Sequence, residues 1–272
     1  MVKKAVIPAA GYGTRSLPIT KVLPKEMLPI CGRPAIDYLV EEAVNSGIEE
    51  ILIIVSRYKN IIMDYYDRSL ELEMFLKQKN KSHLLQTIQL PDVKIQYVRQ
   101  PYANGLGAAI SLAQTFVKDE PFAVMLPDEI ILAEKQTALQ GLISIYEKKQ
   151  SNVIALQEMP LKELGNYGVV DVTLNEENLF KINKIVEKPV SNPPSNLAVI
   201  GRYIFNPNIF DYIKDIKPGI GKEIQLTDAI QVMIEKDISF LGNKISNTRF
   251  DIGKESDYIK IINHLYSKKN GL

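Results

Sequence analysis

From Ala9 to Ile30 the chain reads AAGYGTRSLPITKVLPKEMLPI. Gly11 and Gly13 are followed by the cations Arg15, Lys21 and Lys25, with Pro18 and Pro24 between them and Pro29 just beyond. Neither the helical nor the strand period survives across this stretch. Glycines expose backbone amides to a ligand, and such amides cradle phosphate oxygens. Arginine adds a planar fork that grips two of those oxygens, and lysine adds a point charge. The stretch therefore suits a polyanion, although a solvated loop with scattered cations has the same composition. Two named phosphate motifs are excluded. Ser16 stands where a dinucleotide fingerprint wants its third glycine, Pro18 and Pro24 bar a long helix, and no G-x-x-x-x-G-K-[ST] pattern starts at Gly11 or Gly13.

Other reactive side chains are few. The two histidines, His83 and His264, lie in lysine-rich helical surroundings and read as surface or packing residues. The single cysteine, Cys31, has no convincing partner and reads as structural. Histidine or thiol catalysis and a zinc site are thus not expected. Asp128 closes an apolar run, FAVMLPD, where a carboxylate either caps a turn or faces a ligand. Glu187 and Lys188 precede Pro189 and read equally as a surface ion pair or as polar groups of a site.

Short apolar strands alternate with amphipathic helices in the first half. Strands are predicted over 4–8, 50–56, 93–100 and 122–128, and helices over 34–46 and 105–117, with a charged helical excursion over 59–90. After Ser151 the pattern predicts paired strands in YGVVDVTL and INKIVEKP, a strand in SNLAVIGRYIF, and helices over 208–214, 227–236 and 255–266. This is an α/β chain, with a parallel sheet covered on both faces in its first half and a mixed sheet overall. No linker-like segment divides it, so one domain is expected over 1–272. The formal net charge of +1 argues against a nucleic-acid or membrane-binding face. A single cysteine suits a reducing compartment, and Met1 to Lys4 lead into a strand and not a secretory leader, so a cytoplasmic setting is expected.

Taken in order, G-Y-G-T-R, P-K-E-M-L-P, VRQ with NGLG, LPDEII, YGVV, VEKP, PSNLAVIGRYIF and GKEIQLTDAI resemble the motifs of sugar-nucleotide pyrophosphorylases over nearly the whole chain. The likeness is greatest to the bacterial uridylyltransferases that join UTP to glucose 1-phosphate. The resemblance implies a Rossmann-like nucleotidyltransferase fold with a central mixed, mostly parallel sheet flanked by helices. It implies that residues 1–150 mainly bind nucleotide and 151–272 mainly bind sugar phosphate and self-associate, as a dimer or tetramer. It assigns Ala10, Gly11 and Gly13 to base and phosphates, Thr14 and Arg15 to the triphosphate, and Lys25 to phosphate near the reacting centre. Gln100 would pair with the uracil edge and Gly105 pack beneath the nucleoside. Gly168, Glu187 and Lys188 would hold the sugar phosphate, with Lys188 on its phosphate, and Asp128 and Asp251 would hold Mg2+. Arg15, Lys25 and Lys188 are the residues expected to carry the transfer. Ala108, Lys222 and the C-G-R-P run depart from the usual pattern without removing a phosphate-binding group. The same chemistry on dTTP or another sugar phosphate, and a non-catalytic regulatory relative, remain open as alternatives.

Overall fold

The computed structural model describes residues 1–271. Among them, nine strands build the main sheet: β1 (Lys4–Ala9), β2 (Glu50–Val55), β3 (Lys94–Arg99), β4 (Phe122–Met125), β5 (Asn152–Glu158), β6 (Gly168–Glu176), β7 (Leu179–Glu187), β8 (Leu197–Phe205) and β9 (Phe240–Lys244). Their lateral order is β3-β2-β1-β4-β8-β5-β9-β7-β6. β3, β2, β1 and β4 are parallel, as are β5 and β9. β8 runs against β4 and β5, and β7 runs against β9 and β6. All the strands except β7 and β8 therefore point one way, which makes the sheet mixed and mostly parallel.

The central strands are apolar without alternation because both faces are covered. In β1, Ala5, Ile7 and Ala9 enter one core layer and Val6 the other. The first layer packs under α1 (Ala35–Asn45) and α2 (Asn60–Tyr66), and α3 (Leu70–Gln78) continues the excursion. The second layer packs under α4 (Leu106–Ser111) and α5 (Gln114–Val117). α6 (Ala138–Lys149) returns to the first layer, α7 (Ile209–Ile213) and α8 (Leu226–Glu235) to the second, and α9 (Glu255–Asn270) closes the first. No helix of the described residues is long and apolar enough to cross a membrane.

Two predicted elements are shorter or broken. The strand over 122–128 stops at Met125, because Pro127 has no amide for the ladder, and Asp128 lies in the turn beyond it. The helix over 105–117 divides into α4 and α5 around Leu112 and Ala113. The turn after Met125 leads into a two-stranded ribbon, in which Glu129–Ile131 pairs antiparallel with Arg249–Asp251.

Candidate active site

The parallel strands β1, β2, β3 and β4 end on one edge, where open α/β sheets take their ligands. The loop after β1 crosses that edge. Gly13 adopts φ 67° and caps a short 3-10 turn, Thr14–Ser16, while the Thr20 hydroxyl donates to the Gly13 carbonyl at 2.8 Å. Further 3-10 turns follow at Ile19–Lys21 and Lys25–Met27, since the prolines permit nothing longer. The second of these turns is fixed from below by an ion pair buried on both sides, in which Lys59 Nζ donates to both carboxylate oxygens of Glu26 at 3.0 and 2.8 Å.

Two adjoining cavities open here. The smaller, about 200 Å3, brings together Ala10, Gly11, Gln100 and Gly105, four of the residues assigned to the nucleotide. The larger, about 480 Å3, brings together Thr14, Arg15, Asp128, Gly168, Glu187, Lys188 and Asp251. Glu223 and Leu106 line both. Lys25 reaches the larger cavity's wall through Asp128, and Gly13 lines neither cavity but sets the turn that carries Thr14. His83, His264 and Cys31 line neither cavity.

The ribbon explains how two distant carboxylates meet. Asp251 pairs with Glu129 in register, and the Ile252 amide donates to the Asp128 carbonyl at 2.9 Å, which sets Asp251 beside Asp128. Both carboxylates accept from Arg15, Asp128 at 3.2 Å and Asp251 at 3.3 Å. Lys25 Nζ donates to the same Asp128 oxygen at 2.7 Å. Asp251 also accepts from the Gly253 amide at 2.9 Å and the Tyr167 hydroxyl at 3.4 Å. Burial works to raise the Asp128 pKa, but Lys25 and Arg15 outweigh it and hold the carboxyl below its usual range. Burial likewise works against the charge on Lys25, and Asp128 more than restores it.

Two carboxylates converging on one cation form a donor set that a hard divalent ion fits, with substrate phosphates supplying further oxygens. Among the described residues no cluster of three or more acidic, histidine or cysteine side chains forms a self-sufficient metal cage.

The far wall comes from the antiparallel strands. Glu187, last in β7, pairs with Gly168, first in β6. Gly168 has no side chain to fill the space between Glu187 and Thr227, whose hydroxyl donates to Glu187 at 3.0 Å. Lys188 turns out of the strand at φ 43°, its amide donating to the Tyr167 carbonyl at 3.0 Å and its ammonium lying 3.0 Å from Glu187.

Sequence reasoning singled out neither Glu223, Tyr167, Tyr203 nor Thr227, all of which line the larger cavity. Glu223 and Thr227 fall in the G-K-E-I-Q-L-T-D-A-I run, where a polar residue before a helix reads as a cap. The run is stitched by backbone to the segment that follows β3 and opens α4. Ile224 N donates to Asn104 O at 2.8 Å and Gly107 N to Ile224 O at 2.8 Å. Gly105, at φ 109°, lies so close that a Cβ would meet the Ile224 carbonyl oxygen at 2.5 Å. Gly105→Ala is expected to destabilise by about 2–4 kcal/mol through strain and overlap, lowering Tm by roughly 5–10 °C in thermal unfolding.

The profile of the nucleotidyl transferase family matches residues 4–268. The chain belongs to that family. A Bacillus subtilis relative of this nucleotidyltransferase is 51% identical over 271 residues, 99% of each chain. A Staphylococcus haemolyticus protein named UTP–glucose-1-phosphate uridylyltransferase is 45% identical over 95% of this chain and 90% of its own. Among solved structures, a UDP-glucose pyrophosphorylase complexed with UDP-glucose superposes with TM-score 0.88 at 40% identity, over 98% of this chain and 100% of that one. A UTP-bound enzyme from Acinetobacter baumannii gives TM-score 0.89 at 38% identity, over 98% and 94%. The nucleotidyltransferase fold expected from the motifs is therefore established.

Proposed function

We propose that this nucleotidyltransferase is a UTP–glucose-1-phosphate uridylyltransferase. It transfers UMP from UTP to α-D-glucose 1-phosphate, giving UDP-glucose and pyrophosphate. The observation that carries the reading is the pair of adjoining cavities. One is small and lined by neutral groups and Glu223, and the other gathers Asp128, Asp251 and Glu187 with Arg15 and Lys188. The names of the similar proteins support the same reading.

In this reading Gln100 meets the uracil edge, Gly105 and Ala10 pack against the nucleoside, and the amides of Gly11 and Gly13 with Thr14 and Arg15 receive the triphosphate. Gly168, Glu187 and Lys188 receive the sugar phosphate. Residues 1–150 supply most of the nucleotide subsite, and 151–272 most of the sugar subsite. Asp128 and Asp251 hold Mg2+, which supplies positive charge to the reacting phosphates. The phosphate oxygen of the sugar attacks the α-phosphorus of UTP as the bond to the β-phosphate breaks, and pyrophosphate leaves with the electron pair. The attacking phosphate has a second pKa of ~6 and is already ionised at neutral pH, so no general base is needed. Catalysis rests on alignment and charge neutralisation by Lys25, Arg15 and Lys188. The setting is cytoplasmic, and the protein self-associates as a dimer or tetramer through residues 151–272, where Ile259 and Tyr266 are exposed on α9 as apolar surface.

The test is pyrophosphate release across a panel of nucleotides and sugar phosphates, with and without Mg2+. UTP with glucose 1-phosphate and Mg2+ should be fastest. No release from any pair would sink the reading. Lys188 is half exposed and shares its charge with Glu187, so Lys188→Ala should act on one substrate. We expect kcat/KM for glucose 1-phosphate to fall about 10- to 100-fold in steady-state assays, with kcat lowered as well as KM raised and Tm unchanged.

A further inference from the structure

Arg202 of β8 is completely buried, with 0% exposure, and its carboxylate partner Glu42 of α1 is 5% exposed. Both Arg202 Nε and Nη2 donate to one Glu42 oxygen, at 3.1 and 2.8 Å. The other Glu42 oxygen accepts from the Leu139 amide of α6 at 3.1 Å. A buried ion pair of this kind is a poor stabiliser, since apolar side chains of similar volume serve as well or better. The rest of the guanidinium shows what else the pair does. Nη2 donates to the Glu129 carbonyl at 2.7 Å, and Nη1 to the Leu126 and Gly201 carbonyls at 3.4 and 3.1 Å. Leu126 and Glu129 bracket the turn that carries Asp128.

Gly201 brings the strand against the same turn. The β8–β5 register shifts between Val199 and Tyr203, Gly201 adopts φ 71°, and a Cβ there would meet the Leu126 Cβ at 2.8 Å. The Leu126 amide also donates to the Gly201 carbonyl at 2.9 Å. The turn is thus braced from beneath by a planar fork aimed at both of its ends.

We propose that Arg202, itself oriented by Glu42, is a positioning residue that holds the Leu126–Glu129 turn and so sets where Asp128 presents its carboxylate to the cation. This rests on the assignment of a cation to Asp128 in the function proposed above. Partners that orient metal ligands from behind typically change metal affinity by ~10- to 100-fold when lost.

The test is Mn2+ binding to the UTP complex, followed by electron paramagnetic resonance without sugar phosphate, so that nothing turns over. The variant is Arg202→Met with Glu42→Leu, which removes both buried charges together. It is expected to stay folded, with a Tm somewhat below the parent because the Leu139 amide and the turn carbonyls lose their partners; its UTP affinity in chelator is unchanged, and its Mn2+ affinity falls at least ~10-fold. Arg202→Lys keeps a cation for Glu42 but loses the fork, and should show the same weakening. Parental Mn2+ affinity in either folded variant overturns the proposal. Failure of both to fold also overturns it, because the pair would then serve the fold and not the turn. If the parent itself binds no Mn2+ in its UTP complex, the assignment of Asp128 to the cation fails first, and that outcome is distinct from the others.

Discussion

Asp128→Asn should reduce turnover by about 10²- to 10³-fold, roughly 3–4 kcal/mol of transition-state stabilisation, while the fold persists. The substitution keeps the shape and removes the charge that faces Lys25, Arg15 and, in the proposed reaction, the cation. A second effect runs the other way. Without metal, the Asp128 carboxylate repels incoming phosphate and engages Lys25 at 2.7 Å and Arg15 at 3.2 Å. Neutralising it frees both cations, so UTP affinity measured by calorimetry in chelator should rise. A variant whose turnover stays within a few-fold of the parent would remove Asp128 from the mechanism. The pH dependence follows from the same contacts. A carboxyl whose folded pKa is depressed adds stability that is present above its unfolded value and is lost as pH falls through its folded value. Asp128 lies below the ordinary 3.8, so its contribution persists through the neutral range and fades only in stronger acid. The acid limb of the rate should then track the sugar phosphate near pH ~6 and not Asp128.

Lys25→Met should cost a similar ~10²- to 10³-fold in turnover, with the opposite change in binding. Lys25 is mostly buried, and its charge is preserved against desolvation by Asp128. A desolvated cation acts more strongly on a nearby phosphate than one in water. Removing it leaves Asp128 paired only with Arg15, so UTP affinity in chelator should fall where Asp128→Asn raises it. Because Lys25 and Asp128 touch, the double variant should lose less than the sum of the two. Stopped-flow measurement of a single turnover separates these effects from product release. Strict additivity would mean that the contact at 2.7 Å has no part in the working site. The Glu26–Lys59 pair beneath the turn is untouched by the change, so Tm should move little.

Much of this arrangement is legible in the sequence, for reasons that differ by region. β1, β2 and α1 read clearly because apolar runs and helical spacing record burial directly. The loop from Gly11 to Lys25 is readable because glycine, proline and cations together leave few other structures. β9 escapes such reading, since Phe240–Lys244 is short and carries Gly242 and Asn243. α6 was within reach: Thr137 caps it by accepting from the Gln140 amide at 3.0 Å, and Ala138, Leu139, Leu142, Ile143 and Tyr146 keep the helical period. Within the site, Glu223 and Thr227 acquire meaning only through contacts across the sheet, with Gly105 and Glu187 respectively. Arg202 looks like one polar residue in an apolar strand until the turn above it is seen.

In the proposed reaction, the strip around Ile224 would tie recognition of the base to recognition of the sugar. Its backbone braces Gly105 on one side, and its flanking residues, Glu223 and Gln225, line the larger cavity, Glu223 reaching the smaller one as well. A change that widened the enzyme's choice of hexose by reshaping this strip would disturb its choice of nucleobase as well. Divergence toward a new donor–acceptor pair would therefore proceed through paired substitutions on both sides of the strip, because either one alone leaves the other pocket misshapen.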